Sequence, residues 1–292
     1  MPLRIGYVRE HFSSPLLQFA EVDGGKTFEL VECPSGTGQL IGRLEKDEID
    51  VAIALTDPLI AGIVKGSTAY KLVGSYVTSP LNWAVITGKS SKYNNIDDLK
   101  GTTIGISRPG SGSQTMALVM ALQQNWEPKD VDFKVNNDIR GLVDSVNDGS
   151  TSAFMWEWFT TKPYQDAGEV RFIGSVPTPW ASWMIAAHPE RASADALKAF
   201  LSGLSTYVRD FDSPDKRKEA DVEFIHKAFG YPKDDIIACI QAWLKTVSYT
   251  DDCAKVAASV VTTTMKTLKE AGVIPDTKEL GVLVNEEVAK IH

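Results

Sequence analysis

The residues best suited to holding a ligand's charge follow an apparent strand, Thr102-Thr103-Ile104-Gly105-Ile106. They lie in the loop Ser107-Arg108-Pro109-Gly110-Ser111-Gly112-Ser113 and at Gln114, where an amphipathic run begins. A strand that empties through small residues into a helix leaves backbone N–H groups without intrahelical acceptors at the positive end of the helix dipole. That suits a carboxylate, sulfonate or phosphate. Ser111, Gly112, Ser113 and Gln114 are therefore candidate ligand residues, against the alternative that Ser111 or Ser113 only caps the helix. The loop lacks the Lys-Ser/Thr ending of a Walker loop and the third glycine of a dinucleotide fingerprint, so neither nucleotide motif is met.

A second candidate is Trp156-Glu157-Trp158, after another apparent strand. A carboxylate beside two indoles is costly to bury unless paired. Glu157 is expected to meet an Arg, backbone donors or the amino groups of a ligand, with a structural tie to an Arg or Lys across its lobe as the alternative, and Trp156 is expected to stack on the ligand's face. Because ligands in open α/β sheets sit outside the carboxyl ends of the strands, the residues just after each strand complete the set. His11 is a ligand contact or an exposed loop histidine. Ser35 and Thr37, in Ser35-Gly36-Thr37-Gly38, form a second helix-entry loop unless Thr37 serves only as a cap. Thr56 and Asp57 precede Pro58, where Asp57 alternatively caps. Asn82, Trp83 and Trp180 offer polar and stacking surface, or belong to the core.

Catalytic patterns are absent. No GxSxG elbow, no HExxH and no histidine pair at helical metal spacing occurs, and the four histidines, His11, His188, His226 and His292, are scattered. No catalytic residue, metal site or cofactor is predicted. The three cysteines, Cys33, Cys239 and Cys253, are an odd count without CxxC spacing, which fits reduced thiols in the cytoplasm. An apparent strand from Leu3 to Val8 leaves no room after Met1 for a secretory signal, which adds to the cytoplasmic expectation. The net charge of −8 comes without a Lys/Arg block, which argues against nucleic acid and anionic membrane as partners, and no apolar run approaches the roughly 20 residues of a membrane span.

The elements that position these residues alternate as far as Ala186. Strands are predicted over 3–8, 28–32, 51–55, 71–76, 83–86, 102–106, 132–135, 152–156, 170–173 and 183–186. Helices are predicted over 37–46, 58–64, 114–124 and 139–147, so the alternation reads as βαβ units with mainly parallel pairing. Beyond His188-Pro189 the spacing is helical: Leu197, Leu201, Leu204 and Val208 share a face, as do Ile236, Ile240 and Leu244, and Val261, Met265 and Leu268, with breaks at Asp212-Ser213-Pro214, Gly230-Tyr231-Pro232 and Gly272.

Five runs in this order, Ile5-Gly6-Tyr7-Val8, Glu48 to Ala54, Asp97 to Gly105, Gly141 to Ser145 leading to Phe154 to Phe159, and Ala187-His188-Pro189-Glu190, resemble the type II periplasmic-binding-protein fold. The likeness is to its nitrate/sulfonate/taurine and thiamine-pyrimidine-synthase-like branch, and within it to a fungal intracellular group. The resemblance implies an α/β fold of two lobes joined by two crossover strands, near Trp83 to Gly88 and Ala181 to Ala187, with a C-terminal helical region. Lobe I would comprise 1–86 and 183–292, lobe II 87–182, and a small anionic or heteroaromatic ligand would sit in the interlobe cleft. The implied function is that of an intracellular solute-binding protein, with a thiamine-pyrimidine precursor as one ligand. The alternative is an enzyme of thiamine pyrimidine biosynthesis, for which Lys65 is the lysine nearest the third strand. The cysteine-rich run of the pyrimidine synthases is missing, and nothing in the chain specifies an oligomeric state.

Overall fold

Aliphatic and β-branched runs form strands, and each empties into a helix whose apolar stripe returns to cover the sheet. The computed structural model describes residues 1–229 and 235–292, so the expected break at Gly230-Tyr231-Pro232 lies outside the described residues, as does the side chain of Ile236. In chain order the elements are β1 (Leu3–Tyr7), α1 (Ser14–Asp23), β2 (Phe28–Glu32), α2 (Thr37–Glu45), β3 (Val51–Leu55), α3 (Thr56–Val64), β4 (Lys71–Val77) and β5 (Asn82–Gly88). Then follow β6 (Thr102–Ile106), α4 (Gly112–Gln123), β7 (Val131–Val135), α5 (Ile139–Asn147), β8 (Ala153–Glu157), α6 (Trp158–Asp166) and β9 (Val170–Pro177). The chain ends with β10 (Trp183–Ala187), α7 (Ala194–Phe211), α8 (Ala220–Phe229), α9 (Asp235–Leu244), β11 (Lys255–Val256), α10 (Ala258–Glu270), α11 (Leu280–Leu283) and β12 (Lys290–Ile291).

The chain divides into two compact units, Met1–Ser79 with Trp180–Thr262 and Lys278–His292, and Pro80–Pro179 with Thr263–Thr277. The first unit holds a sheet of order β2-β1-β3-β10-β4 and the second one of order β7-β6-β8-β5-β9. The plan is the same in both. Four strands are mutually parallel and the fourth in spatial order, β10 or β5, runs antiparallel to both its neighbours. The pairing is thus parallel in the main, interrupted once in each sheet.

The sequence expectation divides the lobes at 86/87 and 182/183, whereas the units part at Ser79/Pro80 and Pro179/Trp180. The reason is hydrogen bonding: β5 pairs along its whole length with β9 and also with β8, so all of it is bound into the second sheet. Residues 263–277, expected with the first lobe, group with the second unit.

Central strands carry the core. β3 and β10 are buried on both faces, which is why they read as continuous apolar runs rather than alternating ones. In α7 the predicted stripe Leu197, Leu201, Leu204 and Val208 is buried, extended by Phe211, and Ser193 caps the helix through the Ala196 N–H at 3.2 Å. Ile240, Leu244, Val261, Met265 and Leu268 are also buried. Helix starts differ from the sequence reading by one mechanism: α3 begins at Thr56 and α4 at Gly112, because Pro58 and the small residues lie in first turns that need no intrahelical donor.

One glycine is dictated by close approach. A Cβ on Gly74 of β4 would lie 1.8 Å from the Cys253 carbonyl oxygen, a backbone atom that cannot yield without moving its loop. Gly74→Ala is expected to cost about 1–3 kcal/mol through overpacking, seen as a lower midpoint in thermal denaturation, whereas an unchanged midpoint would show that the Cys253 loop yields freely.

Candidate functional site

The sheet order collects the predicted residues along one edge of each unit. In the second unit β6, β8 and β5 are neighbours, and β5 is antiparallel, so its first residues lie beside the last residues of β8 and β6. Asn82 and Trp83, Glu157, and the turn from Ser111 to Gln114 therefore share one edge.

That turn is both capped and open. Ser111 is the N-cap, its Oγ accepting from Gln114 N at 3.4 Å, and it lies 2.8 Å from Ser113 Oγ, which accepts from Ser107 N at 3.2 Å. Gln114 Oε1 reaches back to Gly110 N at 2.7 Å, where Gly110 takes a φ of 74°. Among the described residues no acceptor is bound to the N–H groups of Gly112 and Ser113, the first two of a 12-residue helix. Arg108, in the same loop, is half-buried, and desolvation loosens its hold on its proton without discharging it. Sequence reasoning passed over Arg108. A cation inside a loop already read as an anion cradle was the available signal.

Glu157 does not lie between two indoles. Successive strand residues face opposite ways, and Trp156 packs with Ala84, Ile86, Phe154 and the α5 residues Leu142, Val143 and Val146, while Trp158 sits edge-on to Phe172 at 4.8 Å. Glu157 pairs in register with Trp83, and directly paired residues project to the same face. The carboxylate caps α6, its Oε2 accepting from Thr160 N at 2.7 Å and Thr160 Oγ1 at 2.8 Å. Burial dominates these bonds and pushes the carboxyl up to about 7. The Trp83 indole N–H is buried with no acceptor among the described residues.

In the first unit, the same edge carries the ends of β1, β2 and β3 and the start of β10. His11 is not an exposed loop histidine. It is buried edge-on against Trp243 at 4.5 Å, and desolvation lowers its imidazole to about 3, so the ring is neutral at physiological pH. The loop it occupies is fixed by the Phe12 carbonyl, which accepts from both the Tyr76 and Tyr249 hydroxyls at 2.9 Å.

Thr37 does not cap α2. Gly36 is the N-cap, at φ 77°, and the Thr37 hydroxyl accepts from Leu55 N at 3.2 Å, joining α2 to the end of β3. Ser35 is exposed and its N–H donates to Gln39 Oε1 at 2.9 Å, the same backward reach that Gln114 makes in the other unit. Thr56 is a tie, donating from Oγ1 to Ala181 O at 2.5 Å and from N to Ser182 O at 3.0 Å. Asp57 is buried in the first turn of α3, and Trp180 is buried ahead of β10. Trp183 and Trp243, absent from the sequence set, have buried indole N–H groups with no acceptor among the described residues. Trp183 was findable: Asn82-Trp83 and Ser182-Trp183 open the two antiparallel strands alike.

Lys65 follows the last residue of α3 and is exposed, at the far end of that helix from the carboxyl edge of β3. His188 meets Asp47 at 3.6 Å and accepts from Glu190 N, and His226 is exposed on α8. Among the described residues no group of His, Cys, Asp or Glu is placed to hold a metal, and no helix is long and apolar enough to cross a membrane.

A family model described as Ca3427-like PBP matches residues 83–176, from β5 to β9. The Candida albicans CA3427 gene product, which defines a family with the generic periplasmic binding protein fold, shares 31% sequence identity, with 100% of this chain and 98% of that one covered and a TM-score of 0.87. The chain belongs to the Ca3427-like family. No curated protein matches the sequence. At the level of fold, the Ca3427-like chain is similar to the alkanesulfonate-binding protein SsuA of Xanthomonas axonopodis pv. citri, bound to MOPS (TM-score 0.76, 16% identity, 100% and 98% of the chains covered), and to the nitrate-binding protein NrtA of Synechocystis PCC 6803 (TM-score 0.70, 14% identity, 98% and 86% covered). This is the two-lobed type II periplasmic-binding-protein fold.

In this Ca3427-like chain the buried Glu157 leaves a pH signature. Its folded value lies above its ordinary one, so it favours the folded state below about pH 4.5 and that contribution is lost as pH rises through about 7. Glu157→Gln keeps an oxygen for Thr160 and removes the titration. Urea denaturation between pH 5 and 7.5 is expected to show wild type losing on the order of 2–3 kcal/mol relative to the variant; parallel curves would mean the carboxyl titrates normally.

Proposed function

We propose that the chain is a binding protein for a small organic anion, held at the α4 turn of the second unit. One observation carries this reading: the N–H groups of Gly112 and Ser113 have no acceptor among the described residues, at a helix N-terminus whose neighbouring donors are already bound. The Arg108 charge in the same loop and the unbound Trp83 indole N–H on the same edge support it, as do the sulfonate- and nitrate-binding proteins that share the fold. A sulfonate presents three acceptor oxygens to such donors. The buried indoles favour ligands with a planar or apolar body, and a thiamine-pyrimidine precursor that carries an anionic group is one such compound. Cys33, Cys239 and Cys253 form no disulfide among the described residues, in keeping with an intracellular, reducing setting.

Gly112→Pro tests the turn cleanly. Position 112 is the first helical residue, where proline is well tolerated, and Ser111 before it has φ −74° and ψ 160°, the region that precedes proline. At a hundredfold excess over the dissociation constant, ethanesulfonate should add about 2.7 kcal/mol to wild type and raise its melting temperature by several degrees. The variant should melt like wild type without ligand and lose most of that rise. A rise that persists in the variant, or that an uncharged aminopyrimidine matches in size, would remove the anion from this turn.

A further inference from the structure

The edge proposed to hold an anion also carries a buried acid. Glu157 ends β8, and β8 is hydrogen-bonded to β6, whose chain runs directly into the Gly112 and Ser113 turn. A buried carboxylate and a sulfonate bound on the neighbouring strand end repel each other more strongly than they would in bulk water. The site should then discriminate against its own ligand unless the acid is neutral.

We propose that Glu157 makes anion capture proton-linked: the carboxylate takes one proton from solvent as the anion settles on the Gly112 and Ser113 turn, and returns it when the anion leaves. The inference rests on the anion reading above.

The surroundings of Glu157 favour this exchange. Of the elements packed against β8, β5, β6 and α4 contain no titratable residue. In α6, Lys162 is paired with Asp166 at 2.6 Å and the remaining titratable group is Tyr164, while in α5 Arg140 is paired with Asp144 and with Glu169. The cation nearest in sequence to the turn is Arg108. Thr160 donates to one carboxyl oxygen, Oε2, and that bond is available in both protonation states because an acid's carbonyl oxygen still accepts. Without ligand the group titrates at about 7, so for a full proton to be taken up near pH 8 the bound anion must hold the group protonated well above that pH.

Ethanesulfonate binding by calorimetry from pH 6 to 9 tests the proposal. Bis-tris propane is the buffer, since sulfonate buffers are themselves probes, and proton uptake is read by pH-stat in unbuffered solution. The wild-type dissociation constant should rise about tenfold per pH unit above pH 7.5, with close to one proton taken up per ligand near pH 8. Glu157→Gln should bind with a flat profile, near the wild-type affinity at pH 6, and take up no proton.

Wild type that binds ethanesulfonate with a flat profile and no uptake overturns proton linkage and leaves the anion reading standing. A pH dependence that survives in the folded Glu157→Gln protein assigns the proton elsewhere and also overturns it. Absence of binding at every pH in both proteins overturns the anion reading, and this inference with it. Should Glu157→Gln fail to fold, wild-type proton uptake alone decides.

Discussion

The structure depends on one constraint of connectivity: each five-stranded sheet is completed by a strand that runs against the other four. β10 fills the gap between β3 and β4, pairing with Leu55 to Val51 on one side and with Val77 to Lys71 on the other, and β5 does the same between β8 and β9. Without that strand two buried ladders would lose their hydrogen bonds, and buried backbone groups without partners cost too much to leave. The antiparallel direction also brings the beginning of the inserted strand to the edge where its neighbours end. Carboxyl-edge loops and the entering residues of β5 or β10 are thereby gathered in one place, within each unit separately.

Packing explains what those edges are made of. Small residues at the α2 and α4 entrances let a glutamine four residues on fold back and satisfy one backbone donor, at Ser35 and at Gly110, while the first helical donors of α4 have no acceptor among the described residues. Aromatic residues supply the rest. His11, Phe12, Trp183 and Trp243 pack with ring centroids 4.5–5.6 Å apart, a geometry that holds bulky groups rigid at little entropic cost.

Much of this was legible in the sequence because it rests on periodicity and local chemistry. The strands from β1 to β10, the helix over Ile139–Asn147 and the apolar stripe of α7 follow from apolar spacing and turn residues alone. What remained hidden depends on partners distant in the chain. No local signal announces that the Thr37 hydroxyl will be engaged by Leu55, or that Thr56 will reach Ala181 across 125 positions. Period two does say that Trp156 and Glu157 face opposite ways, yet only the register of β5 against β8 sets Trp83 beside the acid. The division between units falls where hydrogen bonding changes sheets, which composition does not mark.

The two tyrosine hydroxyls that meet on the Phe12 carbonyl have a consequence for how the chain is made. Tyr76 is 64 residues from Phe12 but Tyr249 is 237, so the second of the two bonds that hold the loop behind β1 forms only when nearly the whole polypeptide has left the ribosome. The strands of the second sheet, by contrast, are contiguous from Asn82 to Pro177 and can assemble during synthesis, as domains commonly do. While the second sheet is being made, the nascent chain carries β1 to β4 with their own sheet still lacking β10. Exposed strand edges of that kind are where aggregation starts. Vectorial synthesis therefore makes the amino-terminal quarter the segment most in need of a chaperone, although in the finished protein it is among the best buried.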